Sequence, residues 1–587
     1  MKVLIIIVSL VMEAYPACLP AYSLTQSIKY PENFKHFDYV NPSAPKRGML
    51  KRSIVGHYDT FDLFSKNGFP AAGLDKVYDT LMTSSLDEPA TQYGLLATCM
   101  EVASDGRAVV FELNKKAKFH DGRPVLAEDV AFTFNYIKKH AGPEIRHYFR
   151  EVTDVEVLAK RKVKFVFKSI ENKELPLMVG GLAIMPKHYW QEKSFQANPF
   201  EMPLGSGPYK IAHYQPGKYI RYERVKDYWA ANHPTRLGMS NFDELRWDYY
   251  LNEDVAFEAF KSAGYDFRLE NVAKRWVTGY PSELIKDGKI IKSEVPNHTP
   301  QGMQGIFFNS RRDMFKDRQV RQAIGMAFDF NWTNKQLLHE AYVQSKSYFN
   351  NSELAATKAM SQDEKNILKE FSALLPPGYM ASMGKNELRF KTLREALMAA
   401  DKQLNRAGWV IHNGRRVNKL TLKPMKFEII IVLPAYERIM LPFKHNLKRL
   451  GIEANIRLID SAQYVDRLRS FNYDLTVFSY PASLVPANEL MGYWHSTSAD
   501  LKGSQNIAGI KDPLIDVLIQ KVVKAPTYAT MKVYVRALDR LLFWQYYAIP
   551  QWYTNVSRIA YWDKFSMPNV RPIYGVGIET WWARKDA

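Results

Sequence analysis

The chain has 587 residues, with 80 Lys and Arg against 61 Asp and Glu, so its formal net charge at pH 7 is +19. This length exceeds the ~250–300 residues that one hydrophobic core serves, which predicts two or three lobes. Aromatic residues (13%) and charged residues (24%) occur at the level of a folded globular protein. The basic residues are spread along the chain without a basic arm or a zinc-finger spacing, which argues against nucleic-acid binding.

The first residues have the pattern of a secretory signal peptide. Lys2 is followed by ten uncharged, mostly apolar residues and then by a segment that contains Pro and Ala. Ten residues are about half of the ~20 that a membrane-spanning helix needs. The pattern predicts an exported protein with cleavage near Ala17 or Ala21, and we assign residues 1–21 to the signal peptide. A buried N-terminal helix is the alternative interpretation.

The two cysteines of the chain are Cys18 and Cys99. Cleavage after Ala21 would remove Cys18 and so exclude an intramolecular disulfide. In a lipoprotein, Cys18 would carry the lipid, and the protein would be a lipid-anchored surface protein. The preceding Tyr15-Pro16-Ala17 is a poor match to a lipobox, so we expect a soluble exported protein.

The hydrophobic pattern of the first half predicts strands and one well-marked helix. Strands are expected from Lys51, at 111–113, at 219–224 and at 245–250, with turns at 117–124 and 204–209. A helix is expected to begin at Ala127, with acidic residues in its first turn. Its buried face is predicted from the helical spacing of three apolar residues, namely Val130, Phe134 and Ile137.

The second half alternates between predicted strands and helices. The expected order is a strand at 305–309, a helix at 318–328, a buried strand at 429–433, a helix at 438–450, and strands at 452–458 and 475–480 on either side of a helix at 462–470. Gly451 is expected to end the helix at 438–450. Ser461 is expected to cap the helix at 462–470, which would bury Val465 and Leu468. This alternation predicts an α/β region with parallel strands, and 345–395 is expected to be a surface excursion.

No catalytic or metal-binding signature is present in the sequence. It contains no H-E-x-x-H, no C-x-x-C and no Walker A motif. Gly205-Ser206-Gly207 precedes a proline and therefore indicates a turn rather than a nucleophile elbow. His120-Asp121 could serve as a base and its orienting acid, but an Asp-Gly turn favours a structural histidine. We therefore expect no enzyme, no cofactor and no metal site, with a secreted hydrolase as the competing class.

Four motifs resemble those of the bacterial family 5 extracellular solute-binding proteins. They lie at 119–134, at 204–209, at Asn309 with 315–323, and at 450–453, and the first begins Phe119-His120-Asp121-Gly122-Arg123-Pro124. Segments at 37–48, 307–312 and 503–513 resemble the Yej-type oligopeptide-binding proteins within that family. The resemblance covers about residues 30–575.

The resemblance implies an α/β type II periplasmic binding fold with two hinged lobes and an additional domain on the first lobe. On this basis lobe I is expected at 22–68, 203–298 and 547–587, its accessory domain at 69–202, and lobe II at 299–546. The implied function is capture of short peptides, including microcin C-type peptides, in an interlobe cleft of a periplasmic, monomeric protein. The implied partner is an ABC permease of the inner membrane. A sugar, haem or a metal chelate is the alternative ligand.

The resemblance also implies where the ligand would bind. Many oligopeptide-binding relatives hold the ligand ammonium with an aspartate just after the strand that corresponds to 475–480, and this sequence has no Asp there. Glu489 is the nearest acid, so a different peptide pose or an anionic or modified peptide is also possible. The expected ligand-binding residues are Tyr58, Phe61, Asn309, Ser479, Tyr480, Ser483, Asn488, Glu489 and Trp494, with packing between lobes as the alternative role for each.

Overall fold

A computed structural model describes residues 18–585 except 26, 67, 171 and 383–389. The predicted signal peptide therefore lies outside the described residues up to Ala17. The strands are β1 Ala21–Ser23, β2 Met49–Val55, β3 Met82–Ser84, β4 Thr91–Gly94, β5 Ala97–Val102, β6 Ala108–Leu113, β7 Val152–Ala159, β8 Lys162–Phe167, β9 Tyr209–Gln215, β10 Tyr219–Arg224, β11 Glu244–Tyr250, β12 Phe267–Leu269, β13 Ile290–Pro296, β14 Met303–Phe308, β15 Val343–Gln344, β16 Trp409–His412, β17 Arg415–Asn418, β18 Lys426–Ile431, β19 Glu453–Leu458, β20 Leu475–Tyr480, β21 Ala548–Pro550, β22 Trp552–Tyr553, β23 Val556–Trp562, β24 Phe565–Ser566 and β25 Trp582–Ala583.

Helices alternate with these strands along much of the chain. They are α1 Ala127–His140, α2 Pro143–Tyr148, α3 Leu175–Gly180, α4 Lys187–Trp190, α5 Glu253–Lys261, α6 Ala273–Thr278, α7 Ser282–Lys286, α8 Arg318–Gly325, α9 Phe330–Leu337, α10 Gln362–Glu370, α11 Tyr379–Ser382, α12 Leu393–Arg406, α13 Pro434–Arg449, α14 Ser461–Arg469, α15 Glu489–Trp494, α16 Pro513–Lys524 and α17 Tyr528–Trp544. Within the described residues, none of these helices combines the length and the apolar character that crossing a membrane requires.

The chain divides into two compact units. Unit 1 comprises Met1–Glu270, Tyr280–Val295 and Arg558–Ala587, and unit 2 comprises Asn271–Gly279 and Pro296–Ser557. Each unit has a hydrophobic core of its own, which is the solution expected for a chain too long for one core. The finer lobe and accessory-domain boundaries given by the sequence stay a prediction.

Unit 1 is built around a seven-stranded mixed sheet of order β13-β23-β12-β2-β11-β10-β9. Strand β2 pairs in parallel with β11 and with β12, whereas β9, β10 and β11 form an antiparallel meander. The predicted strands at 219–224 and 245–250 are confirmed as β10 and β11. One face of this sheet packs into the core of the unit through residues such as Leu50, Ile220 and Trp247.

A four-stranded antiparallel sheet of order β5-β6-β8-β7 lies in the same unit, with α1 packed on β7 and β8. The predicted face of α1 is confirmed, because Val130, Phe134 and Ile137 are all fully buried. The N-terminal acids of α1 also have local roles, since Asp129 Oδ2 accepts a hydrogen bond from the Leu126 N–H (2.8 Å). The turn and helix of the first motif therefore have a structural role in unit 1.

His120 is a structural residue, as the Asp-Gly turn indicated. Its Nε2 lies 2.8 Å from the Gly207 carbonyl oxygen, which ties the turn of the first motif to the glycine turn of the second. Burial lowers the pKa of His120. The neighbouring Asp121 is bonded to His188 Nε2 (2.8 Å), so the two residues form no base–acid pair.

Unit 2 contains a five-stranded sheet of order β19-β18-β20-β14-β21. Strand β18 is parallel to both β19 and β20, and β14 runs antiparallel to β20 and β21. The predicted alternation and the parallel pairing are confirmed. The β-branched run of β18 is buried on both faces, and Gly451, at a φ of 76°, follows the end of α13 in the left-handed conformation that favours glycine.

Helix α14 differs from its prediction in two respects. Asp460, not Ser461, is the N-cap, because its carboxylate accepts a hydrogen bond from the Gln463 N–H (2.9 Å). None of the helix residues is buried, and Val465 is 41% exposed. The apolar spacing correctly gave a helical face, but Leu468 on that face is only half-buried, so the described residues of unit 2 cover it incompletely.

The segment 345–395 is not a simple surface excursion. Tyr348 and Phe349 are buried, and a fully buried carboxylate on α17, that of Asp539, holds the segment. This carboxylate accepts hydrogen bonds from the Ser347 hydroxyl (2.6 Å), the Tyr348 N–H (2.6 Å) and the Ala356 N–H (2.9 Å). Hydrogen bonds to a distant side chain leave no periodic signal in the sequence, so the pattern of this segment predicts a loop.

The N-terminal segment is joined to unit 1 by a Cys18–Cys99 disulfide. Leu19 exchanges two backbone hydrogen bonds with Met100 (2.9 Å each), and β1 pairs antiparallel with β4. Cys99 is therefore paired in this structure, which includes Cys18, and the expectation that cleavage after Ala21 leaves Cys99 alone stays a prediction. Residues 18–23 are an integral part of unit 1, and a cleavage site after Ala21 would remove the disulfide and the first residue of β1.

Candidate ligand-binding site

The carboxyl ends of β18, β19 and β20 lie at one edge of the sheet of unit 2, because these three strands are parallel. Ligands of open α/β sheets bind in the crevice outside such an edge. Two apolar side chains are largely exposed there, Leu433 after β18 (54%) and Leu458 at the end of β19 (44%). The edge therefore offers uncovered apolar surface where a ligand is expected.

Ser479 and Tyr480 form the end of β20 at this edge. The side chain of Ser479 is exposed, whereas Tyr480 is buried and donates its hydroxyl to the Gln505 carbonyl oxygen (2.7 Å). The ring of Tyr480 lies 5.1 Å from that of Tyr493 and 5.6 Å from that of Trp494. Tyr480 thus anchors α15 to the end of the strand, and Ser479 is the residue of the pair that is available to a ligand.

The loop from Pro481 leads directly into α15, whose first residue is Glu489. The Ser483 hydroxyl folds back on the loop, since it donates to the Val485 carbonyl oxygen (2.9 Å) and accepts from the Val485 N–H (3.1 Å). Ser483 therefore shapes the loop. The half-buried side chain of Asn488 makes no capping hydrogen bond to α15.

Glu489 is a half-buried carboxylate without a cationic partner among the described residues. Its Oε2 accepts a hydrogen bond from the Ala487 N–H (3.0 Å). Burial raises the pKa of Glu489, because removal from water disfavours the charged form and no ion pair compensates. The site therefore presents an acid whose ionised form would be stabilised by a cation supplied from outside.

Trp494 and Tyr493 end α15 and have different surroundings. Trp494 is 1% exposed and packs edge-on against the rings of Tyr348 (5.4 Å) and Phe349 (5.9 Å). Tyr493 is half-buried, and the charge of Glu489 adds to burial in raising its pKa. The sequence prediction omitted Tyr493, although its position four residues after Glu489 on a helix was the signal that could have identified it.

Asn309 lies away from this group. It follows β14, whose register pairs Met303 with Tyr480 and Phe308 with Leu475, so Asn309 is at the opposite end of the strand pair. Its amide nitrogen donates to the carbonyl oxygens of Phe471 (3.0 Å) and Tyr473 (2.8 Å). The structure thus uses Asn309 to hold the turn before β20.

Tyr58 and Phe61 occupy unit 1, after the end of β2. Both are buried, with stacked rings 6.2 Å apart, and the Tyr58 hydroxyl donates to the Tyr219 carbonyl oxygen (2.9 Å). Their aromatic cluster continues through Phe200 to Tyr214, which is 37% exposed. The sequence prediction omitted these two outer residues because they lie far from 58–61 along the chain.

Unit 1 also has a carboxyl edge with exposed apolar side chains. Strands β2, β11 and β12 are parallel neighbours, so their ends lie together. The exposed residues there are Val55, Leu251 and Leu269. Each unit, taken by itself, thus presents uncovered apolar surface at the edge where α/β sheets bind ligands.

The one cluster of metal-ligand side chains that the described residues bring together consists of Cys18, Cys99 and Glu112. The two sulfur atoms are already bonded to each other in the disulfide. This donor set does not fit a resident metal ion in the oxidised protein, because thiolates are the form of cysteine that binds metals.

The sequence matches the family model described as bacterial extracellular solute-binding proteins, family 5, over residues 91–501. A protein of Agrobacterium fabrum named "Probable peptide-binding protein YejA" is 39% identical over 96% of this chain and 94% of its own length. A second protein of A. fabrum, "Peptidoglycan-binding protein YepA", is 34% identical over 96% of this chain and 95% of its own.

Among solved structures, the oligopeptide-binding protein AppA of Bacillus subtilis in complex with a nonapeptide has the same fold. The TM-score is 0.61 at 19% identity, and the likeness covers 92% of this chain and all of that one. The predicted α/β type II periplasmic binding fold and the family resemblance are thereby confirmed.

Proposed function

The chain belongs to the bacterial extracellular solute-binding proteins of family 5, and from this premise we propose that it captures short peptides or peptide-like molecules in the periplasm and delivers them to an inner-membrane ABC permease. The family consists of solute-binding proteins rather than enzymes. The peptide ligand is supported by the name of the 39% identical relative and by the nonapeptide in the AppA structure. We further propose that the protein acts as a monomer.

The proposed site in unit 2 is the carboxyl edge that ends in Ser479 and continues to Glu489. An extended peptide offers the same main-chain donors and acceptors whatever its side chains, so polar groups at a sheet edge bind many sequences. Ser479 and Asn488 supply such groups, because the side chain of Ser479 is exposed and that of Asn488 does not cap α15. Leu433 and Leu458 offer apolar contacts to ligand side chains. Tyr58, Phe61, Asn309, Ser483 and Trp494 are fixed by internal contacts, and their direct roles stay predictions.

Glu489 is the residue that we propose to bind the peptide ammonium group. The observation that carries this role is a half-buried carboxylate with a raised pKa and no cationic partner among the described residues. A charge-assisted hydrogen bond from an ammonium group would offset the desolvation of the ionised carboxylate. Glu489 thus replaces the aspartate that the family resemblance led us to expect at an earlier position.

The ligand class is tested by native mass spectrometry of the purified mature protein, followed by fragmentation of whatever is released. A heterogeneous set of short peptides is expected. A single sugar, haem or metal chelate would retain the transport role and overturn the peptide ligand.

The role of Glu489 is tested by calorimetric titration with trialanine and with N-acetyl-trialanine. Glu489→Gln is expected to weaken trialanine binding at least tenfold and to leave N-acetyl-trialanine binding unchanged. Glu32→Gln, the same charge change at an exposed position of unit 1, is the matched control and should change neither. Equal losses for both peptides, or no loss for either, would overturn the ammonium role while leaving peptide capture itself intact.

A further inference from the structure

Unit 1 contains a cavity of about 440 Å³ that lies along a face of its seven-stranded sheet, apart from the carboxyl edge. Its floor is made by neighbouring residues of β2 and β11, which pair Leu50 with Leu245 and Arg52 with Trp247. The segments 75–86 and 578–579 contribute other walls. A volume of this size lies within the roughly 300–1,000 Å³ of small-molecule pockets.

Six charged side chains line the cavity, and four of them neutralise one another in pairs. Lys76 Nζ lies 2.7 Å from Asp75 Oδ2, and Arg236 Nη2 lies 3.6 Å from Asp79 Oδ1. Asp79 is further held by the Tyr228 hydroxyl (2.9 Å). These two pairs leave no net charge in their part of the wall.

The other two charged side chains are Arg52 and Glu579, of opposite sign. Neither side chain has a hydrogen bond or an ion pair with any described residue. The Arg52 guanidinium carbon lies 5.8 Å from the ring centroids of both Trp247 and Phe267. Burial lowers the pKa of Arg52, and the charge of Glu579 acts against that effect. An arginine with five N–H donors is costly to bury without acceptors, so its exposure to the cavity indicates an acceptor that enters from outside.

A third polar group with unused capacity is the hydroxyl of Tyr39. The ring is fully buried, and its oxygen accepts a hydrogen bond from the Leu86 N–H (3.3 Å). The hydroxyl hydrogen therefore stays available for donation to a ligand. The cavity thus combines donors, an unpaired carboxylate and the apolar faces of Trp247 and Leu50.

We propose that this cavity is a second binding site, for a free α-amino acid with an apolar side chain. The ligand carboxylate accepts hydrogen bonds from Arg52 and from the Tyr39 hydroxyl, and its ammonium group donates to Glu579. The side chain packs against Trp247 and Leu50. A zwitterion satisfies both unpaired charges at once, which neither a simple anion nor a simple cation does.

The test is a titration of the protein, labelled with 5-fluorotryptophan, with L-phenylalanine. The fluorine NMR spectrum is recorded at each ligand concentration. The chain has 12 tryptophans, and Trp247→Phe identifies the resonance of Trp247. Titration is expected to shift this resonance in the wild-type protein and in Glu489→Gln, so the second site is distinguished from the proposed peptide site.

Two variants and one control then test the contacts. Arg52→Met and Glu579→Gln should each weaken the response of Trp247 at least tenfold, and either one suffices if the other fails to fold. Lys51→Met, which removes a charge from the opposite face of β2, should leave the response unchanged. 3-Phenylpropionate and 2-phenylethylamine, which each lack one charge, should bind at least tenfold more weakly than phenylalanine.

Three outcomes would overturn the proposal. One is a Trp247 resonance that does not respond to millimolar phenylalanine. Another is a response that survives in both Arg52→Met and Glu579→Gln. The third is equal binding of the two singly charged analogues, since the cavity would then be an apolar void without recognition of a zwitterion.

Discussion

Gly302 lies directly against the carbonyl oxygen of Tyr480, so that a Cβ on residue 302 would overlap this oxygen. The two residues flank the paired ends of β14 and β20, where the proposed ligand-binding edge begins. The close approach joins the chain entering β14 to the chain leaving β20. It therefore fixes the position of the loop that leads to Glu489.

Replacement of Gly302 by Ala should therefore destabilise unit 2. The added methyl group must displace backbone rather than a flexible side chain, and overpacking of this kind costs roughly 1–3 kcal/mol. Urea denaturation followed by circular dichroism measures the change. Gly492→Ala is the matched control, because a Cβ at that position of α15 meets no atom within 4 Å. If both variants were equally stable, the Gly302–Tyr480 contact would have no energetic role.

Peptide binding should depend on pH through Glu489. Burial raises the pKa of this residue in the free protein, and a bound ammonium group would lower it again. Affinity for trialanine is therefore expected to fall as pH drops through the raised pKa, because the carboxylate must release its proton to bind. A second fall is expected above about pH 8, where the peptide ammonium itself loses its proton. Calorimetry between pH 4 and 9 should show both limbs. Glu489→Gln should flatten both, because the acidic limb needs the carboxylate and the alkaline limb needs its bond to the ammonium group.

The Cys18–Cys99 bond should be present in the mature protein. We expect the mature chain to begin at or before Cys18, with cleavage after Ala17, because residues 18–23 are bonded into unit 1. Cys99→Ser or reduction should lower the free energy of unfolding by about 2–5 kcal/mol. Intact-mass analysis with a thiol assay makes the measurement, and reductant should have no effect on Cys99→Ser. A mature chain that begins at Tyr22 with one free thiol would contradict this prediction.

Asp539 should give the stability of unit 2 a pH dependence. Burial raises its pKa from 3.8 to about 6, so the folded state holds the proton more tightly than the unfolded state. The stabilisation from this group is thus complete below about pH 4 and is lost as the pH rises through about 6. The loss in the free energy of unfolding is at most about 3 kcal/mol. Asp539→Asn should be less stable overall, since Asn reproduces the three accepted hydrogen bonds incompletely. The stability difference between wild type and variant should shrink from pH 4 to pH 7 in denaturant titrations.

The sequence correctly predicted the elements in which the spacing of apolar residues follows the buried face. Val130, Phe134 and Ile137 recur at helical spacing, and α1 buries all three. The same argument failed for Val465, because spacing identifies an apolar face but not whether another element covers it. Asp460 and Ser461 are adjacent residues that both cap helices well, and only the backbone geometry decided between them.

Longer-range features had no local signal. The three hydrogen bonds of Asp539 join residues nearly two hundred positions apart, so the segment that they hold had the pattern of a loop. Glu489 could be selected because it is the first acid after a predicted strand. The sequence could not identify Tyr214 or Arg52 in this way. Only the tertiary structure brings Tyr214 to the aromatic cluster of Phe61 and Arg52 to the cavity wall.

Strand β23 lies inside the sheet of unit 1, between β13 and β12, although it is formed by residues near the end of the chain. Leu269 pairs with Ile559, so most of the polypeptide must be made before this pairing can form. Contacts between such distant residues are slow to form, because a large loop must close first. The position between β13 and β12 can therefore be filled only after these last residues have been made. A chain that completes its first unit last stays unfolded for longer, which would suit the export across the inner membrane that we propose for this protein.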